Sequence, residues 1–194
     1  LDPATLTVDA NASATAEINV TSGPRFVFGN IVIAQGHHSG EAPVVGAEAV
    51  GLSRGKPAKS SLIVGASEKL IESWRSSGFP LAQIVKKDVT ADHARTAVDV
   101  RIEVDPGPPA VYGWVGVSGT RMLEHDTIID QSKLQPGSAF QPRELKRARD
   151  RLAKMPSVAS VRIVEGRELD ANGGLPLHLE GTERKPPYFG ATAS

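Results

Sequence analysis

The residues best suited to chemistry in this sequence fall into a few groups, and none has the spacing that its chemistry requires. Gly55-Lys56 has the look of a phosphate loop. Such a loop needs a glycine five positions upstream and a hydroxyl after the lysine, and Val50 and Pro57 stand there instead. His37, His38 and Glu41 offer metal ligands, but no histidine lies three or four residues from another, and Gly40 marks the run as a loop. Glu124-His125-Asp126 offers an acid and a base. Acids at that point also suit the positive end of a helix dipole, which makes the run a helix start. There is no cysteine, so neither a thiol nucleophile nor a disulfide framework is available.

Two larger features remain. Trp74 and Trp114 each fall in or beside an apolar stripe, and both are expected to pack in a core. The stretch Pro142 to Met155 carries Arg143, Lys146, Arg147, Arg149, Arg151 and Lys154 against only Glu144 and Asp150. It is either a solvated helix face or a basic surface turned toward lipid headgroups or an acidic partner. Nucleic acid is disfavoured, because 22 Lys and Arg balance 22 Asp and Glu and no aromatic residues interleave with the bases. The chain is expected to be no enzyme and to carry no cofactor or metal.

The elements that hold these residues follow from periodicity. Val98, Val100, Ile102 and Val104 alternate with Asp99, Arg101, Glu103 and Asp105, the pattern of a strand with one wet face. Asp105-Pro106-Gly107-Pro108-Pro109 stops it, since proline removes ladder donors and fixes φ. A new strand runs about Val111 to Val117. Upstream, Leu6 and Val8 and then Ala14 to Val20 read as a hairpin, and FVFGNIVI from Phe26 as a strand. Val44 to Leu52 predicts a short helix weakened by Gly46 and Gly51. Ile63, Ala66, Leu70 and Trp74 recur at helical spacing, with Ser60 or Ser61 as N-cap and Gly78 as terminator. Phe79 to Val89 predicts a strand, with its turn at Thr90 to Arg95. A second helical pair follows at Leu123 to Lys133 and from Pro142, where Leu145, Ala148, Leu152 and Met155 form the stripe. Strands near Val158 to Ile163 and Leu175 to Leu179 close the series.

The chain is internally repeated. Phe28-Gly29 recurs as Tyr112-Gly113, and Leu52-Ser53-Arg54-Gly55 as Leu134-Gln135-Pro136-Gly137, at a period of roughly 80 residues. Gly23 and Gly107 precede their aromatic-Gly pairs alike, and Phe189-Gly190 begins a third copy. The order in each copy is β-α-α-β-β. A chain of 194 residues with 40% hydrophobic and 5% aromatic content gives each copy a modest core. The chain begins inside a strand-like pattern, as a piece of something longer would.

These features resemble the polypeptide-transport-associated (POTRA) domain. The resemblance rests on the L-x-x-G before each second helix, the Gly-Phe or Pro-Ser-Val before each second strand, and Gly23-Pro24-Arg25-Phe26-Val27-Phe28-Gly29. It covers about Ala14 to Gly190. Within the family the phrasing, with Leu175-Pro176-Leu177-His178-Leu179 and Arg184-Lys185, is similar to the translocation-and-assembly (TamA-like) branch. The sequence departs from the family in the long loop His37 to Ala58 and at Met155-Pro156. The fold implied is α+β, with tandem domains that each have a three-stranded mixed sheet covered by two helices. Residues 1–22 would be the closing hairpin of a preceding domain, 23–106 and 107–187 two domains, and 188–194 the start of a C-terminal β-barrel.

The resemblance further implies a scaffold on the periplasmic face of the outer membrane. Its partners would be unfolded outer-membrane or autotransporter client proteins, an inner-membrane-anchored TamB-like protein, and its own C-terminal β-barrel. A BamA-like assembly factor and a two-partner secretion transporter are alternatives within the family. A stand-alone α+β module binding RNA or a small molecule is the alternative outside it. In a β-α-α-β-β unit the last strand pairs with both others, which leaves the second strand at an edge able to template an incoming chain. The expected protein-binding residues are therefore Ile84, Val85, Lys86, Lys87, Asp88 and Val89, with Val161, Arg162, Ile163, Val164 and Glu165. Charges on such strands serve equally to prevent pairing. The six cations from Arg143 to Lys154 would face the membrane or a partner.

Overall fold

The computed structural model describes residues 5–8, 14–17, 23–36, 43 and 45–184. Strands β1 (Thr5–Val8) and β2 (Ala14–Glu17) pair antiparallel as a hairpin. Two units of like topology follow. In the first, β3 (Val27–Gln35), α1 (Ser60–Ser76), β4 (Gln83–Asp92) and β5 (Ala97–Asp105) form a three-stranded sheet in the order β3-β5-β4 under one helix. In the second, β6 (Val111–Ser118), α2 (His125–Ser132), α3 (Pro142–Ala153), β7 (Val158–Glu165) and β8 (Gly174–Glu183) give the order β6-β8-β7. The last strand of each unit is central, parallel to the first strand and antiparallel to the second. The α+β class with mixed sheets is as expected.

Each sheet buries one face under its helices. Ile63, Ala66, Leu70 and Trp74 of α1 pack on Phe28, Val100, Ile102 and Val104. In the second unit Leu145, Ala148 and Leu152 of α3 meet Tyr112, Leu175, Leu177 and Leu179. Burying a Leu- or Ile-sized side chain contributes about 1.5–3 kcal/mol, so these stripes are what fix the helices to the sheets.

Helix ends explain several boundaries. Gly78 has φ +95°, its N–H donates to Arg75 O, and Phe79 N–H donates to Trp74 O. This Schellman pattern closes α1 and sets Phe79 edge-on to Trp74 at 5.1 Å. Phe79 is thus a helix-closing core residue, and the strand begins later, at Gln83. The same pattern recurs at Ala47 to Leu52, where Gly51 (φ +92°) donates to Glu48 O and Leu52 to Ala47 O. The helix expected at Val44 to Leu52 is therefore a single turn over Ala47 to Val50, and Gly51 does not merely weaken it but ends it. Neither Ser60 nor Ser61 is the N-cap. Lys59 is, without a side-chain bond, because Ala58 N–H is already tied to Phe26 O and the helix starts directly after it.

The repeated aromatic-Gly pairs mark bulges. The register of β3 on β5 shifts between Phe28 and Ile31, and that of β6 on β8 between Tyr112 and Val115. A side chain on Gly29 would overlap the Asp99 carboxylate, and one on Gly113 would come within 3.0 Å of the Gly174 and Leu175 backbone. The bulge overturns one expectation: Trp114 is not in the core. It is 66% exposed on the outer sheet face, lying over Gly116 and 6.4 Å from the His178 ring. Its counterpart in the first unit is exposed Asn30, a polar residue at the repeat-equivalent position that would have given the signal.

Between the units, Pro106 is buried and Gly107 takes φ +66° beside Leu81. Ala110 N–H donates to Gly78 O at 2.9 Å, and Leu81 packs against the second core.

Candidate protein-binding surface

The first strand of each unit has the outward backbone groups of its early part occupied. In β3, Phe28 N–H donates to Lys56 O, Phe28 O accepts from Gly55, and Phe26 O accepts from Ala58. In β6, Tyr112 N–H donates to Ser138 O, Tyr112 O accepts from Gly137, and Ala110 O accepts from Phe140. Gly55 (φ +78°) and Gly137 (φ +85°) permit this, since each turns the L-x-x-G loop back onto the strand in the left-handed region. The repeated L-x-x-G motif is thus an edge cover over the early part of β3 and β6.

Among the described residues the second strands have no such cover. Ile84 to Val89 lie on β4 and Val161 to Glu165 on β7, both at sheet edges. On β4 the ladder shifts between Ile84 and Lys86, Val85 and Val89 are exposed, and Lys86 pairs with Asp88 at 3.0 Å. On β7, Gly166 N–H donates to Pro176 O at 2.8 Å. Antiparallel ladders alternate, so Val164 and Arg162 point toward β8 as Gly166 does, while Glu165, Ile163 and Val161 turn their N–H and C=O groups outward.

A groove of about 330 Å³ runs between α3 and β7 and ends against α1. Pro142, Leu145, Val161 and Ile163 give it an apolar floor, and Lys146, Arg149 and Arg162 stand at its walls. At the far end the Arg75 guanidinium binds Glu165 and closes the groove. Arg75, at the last turn of α1, gives no sequence sign of this role beyond being a cation near a helix C-terminus.

The five cations of α3 and Lys154, its C-cap, do not share one face. Arg147 pairs with Glu144 at 2.6 Å. Arg151 donates to Ser132 O at 2.5 Å, tying α3 to the C-terminal end of α2. Lys146 and Arg149 face the groove instead, and Arg143 and Lys154 are exposed.

Carboxylates hold the loops. Glu183 Oε1 accepts from the backbone N–H groups of Arg121, Met122 and Leu123 at 2.8, 2.7 and 2.8 Å. Those bonds, the Leu123 N–H foremost, hold its pKa below the ordinary value. Asp99 is likewise lowered, first by the Asn30 N–H and then by Arg95. Burial raises the pKa of the Tyr112 hydroxyl, which donates to Gln141 O.

Glu124 is the N-cap of α2 and His125 and Asp126 lie in its first turn, all exposed. His37, His38 and Glu41 lie outside the described residues, as do residues 188–194 and Phe189-Gly190. Among the described residues no group of three or more His, Asp or Glu is placed to hold a metal ion, and no helix is long and apolar enough to cross a membrane.

Residues 114–165 match the family model described as POTRA domain, FtsQ-type. The fold is similar to that of POTRA domains 3–5 of BamA from Haemophilus influenzae, with a TM-score of 0.67 at 14% identity, over 94% of this chain and 71% of that one. It is also similar to BamA from Haemophilus ducreyi lacking POTRA domains 1–3, with a TM-score of 0.62 at 12% identity, over 82% of this chain and 30% of that one. No curated protein sequence matches the chain. At these identities the likeness establishes the fold, which is that of POTRA domains in tandem.

Proposed function

We propose that this chain is a non-enzymatic periplasmic scaffold of an outer-membrane protein that assembles or translocates other proteins, and that it holds extended client chains by strand addition. The observation that carries this reading is the asymmetry of the sheet edges. The early part of each first strand is covered by its own L-x-x-G loop, while among the described residues β4 and β7 have no such cover at their outer edge. Main-chain hydrogen bonds form with any extended segment, which suits clients that arrive unfolded. On this reading, residues 1–22 close a preceding domain, 23–106 and 107–187 are the two domains, and a barrel follows.

The TamA-like branch is the finer form of the proposal, with a TamB-like inner-membrane partner and autotransporter clients. The BamA-like branch is the alternative. Retention of a TamB-like protein on the immobilised chain separates the two.

Photo-crosslinking residues placed singly along 84–89 and 161–165 test the strand-addition reading. Crosslinks to client at alternate positions support it. Crosslinks confined to the helices, with none on either edge, overturn it.

A further inference from the structure

The groove between α3 and β7 carries more information than an open edge requires. We infer that it selects extended segments that present side-chain carboxylates beside apolar residues; this rests on the strand-addition reading above. Four cations and two carboxylates line the groove, and the carboxylates do not balance the cations evenly. Glu165 is already taken by Arg75, whose Nη2 donates to both its oxygens, which leaves Glu72 as the remaining groove carboxylate beside Lys146, Arg149 and Arg162. Lys146 and Arg149 have no ion-pair partner among the described residues, and Arg162 reaches Glu180 only at 4.0 Å.

Geometry sets what fits. Val161 and Ile163 present both their outward backbone groups and their side chains to the groove. A segment paired there sends alternate side chains toward α3, about 7 Å apart along the strand. One such side chain meets the apolar floor of Leu145 and Ile163. Lys146 and Arg149, three apart on α3, lie about 5–6 Å from each other, so a single carboxylate on the next groove-facing residue is within reach of both. On the edge of the first unit Lys86 is paired with Asp88, and Lys87 is exposed on the strand outside this groove. Selection for acid is therefore assigned to β7, where Lys146 and Arg149 of α3 stand beside the edge.

The test uses the whole chain and acetylated, amidated peptides of alternating apolar and polar residues, with Glu or Gln at the groove-facing polar positions. Binding is read by fluorescence anisotropy. Wild type should bind the Glu peptide roughly tenfold more tightly than the Gln peptide at low salt, and the gap should shrink at high ionic strength. The variant K146E/R149E should lose or invert that preference, read as the ratio of the two peptides' affinities within the variant; both side chains are exposed, and circular dichroism checks the fold. N-methylation of alternate peptide amides should abolish binding of both peptides.

Equal binding of the two peptides, with N-methylation still abolishing it, overturns the inference and leaves strand addition standing. A preference for Glu that survives N-methylation overturns strand addition. Failure of both peptides to bind overturns both readings. Binding to phosphatidylglycerol vesicles that K146E/R149E abolishes, without any preference for Glu over Gln, overturns the inference in favour of a lipid-facing groove.

Discussion

Arg75 and Glu165 face each other across the two units, with Nη2 of the guanidinium 2.9 and 2.7 Å from the two carboxylate oxygens. The same side chain sends Nη1 to Pro80 O at 2.6 Å and lies 5.3 Å from the centre of the Phe140 ring. Both partners are less than a third exposed. One residue of the first unit thus touches the end of its own helix turn, the edge strand of the second unit and the second core. Together with buried Pro106, it restricts the angle between the units.

Replacing Arg75 with Ala should therefore broaden the distribution of inter-unit distances. The chain has no cysteine, so spin labels on Asp88→Cys and Asn172→Cys report without background. Glu165→Gln should broaden the distribution less, and a double-mutant cycle should give a coupling of about 1 kcal/mol. Glycine at Pro106, Pro108 and Pro109 should broaden it as well. An unchanged distribution in Arg75→Ala would show that the prolines alone set the angle.

Acid should loosen the loops before it reaches the cores. Glu183, Asp99 and Asp92 are each held below the ordinary carboxylate range, Asp92 chiefly by the Arg95 guanidinium. Unfolding returns them to ordinary values, so the unfolded chain takes up protons that the folded chain refuses. Their contribution is complete above the ordinary range near pH 4 and is lost as pH falls through it toward the folded values. Thermal melts from about pH 6 to about pH 3 should show a falling Tm, with a shallower fall for Glu183→Gln. A flat profile would remove these carboxylates from the account.

The two tryptophans should behave as opposites. Trp74→Ala empties a fully buried site and should cost about 3–5 kcal/mol, whereas Trp114→Ala should cost well under 1 kcal/mol. Emission from the Trp114→Phe variant, which retains Trp74, should be blue-shifted and protected from acrylamide. Trp74→Phe should leave a red-shifted, quenchable signal. Equal quenching would place Trp114 in a core after all.

Thr96 sits at φ +50° in the turn between β4 and β5, a region costly for a β-branched residue. Asn or Gly there should stabilise the chain by about 1 kcal/mol, read as a raised Tm. Destabilisation by both would mean that the threonine side chain makes a contact worth more than the strain.

Much of this was legible in the residues. The helical stripes Ile63-Ala66-Leu70-Trp74 and Leu145-Ala148-Leu152 are the buried ones, because a 3.6-residue period has one way to meet a flat sheet. The edge positions of β4 and β7 followed from the strand order that the family resemblance implied. What escaped was set by single backbone events and by distant partners. A bulge turned Trp114 outward, against an apolar stripe that pointed inward. Gly51 ended a helix after one turn. No pattern near Arg75, Arg151 or Glu183 announces Glu165, Ser132 O or the three amides of the 121–123 loop, since these partners lie many residues away and meet only when the sheets are complete.

The L-x-x-G covers have a consequence for how these sheets can grow. A sheet with two bare edges propagates: each added chain leaves a fresh template on both sides, and the end point is a fibre. Here Gly55 and Gly137 bring the chain's own loop over the early part of β3 and β6, so that stretch of the flank is already paired when the unit folds. A strand added there finds a shortened template, whereas β4 and β7 offer theirs along the strand. The glycine that closes a loop thus also shortens one of the two edges through which such sheets could propagate.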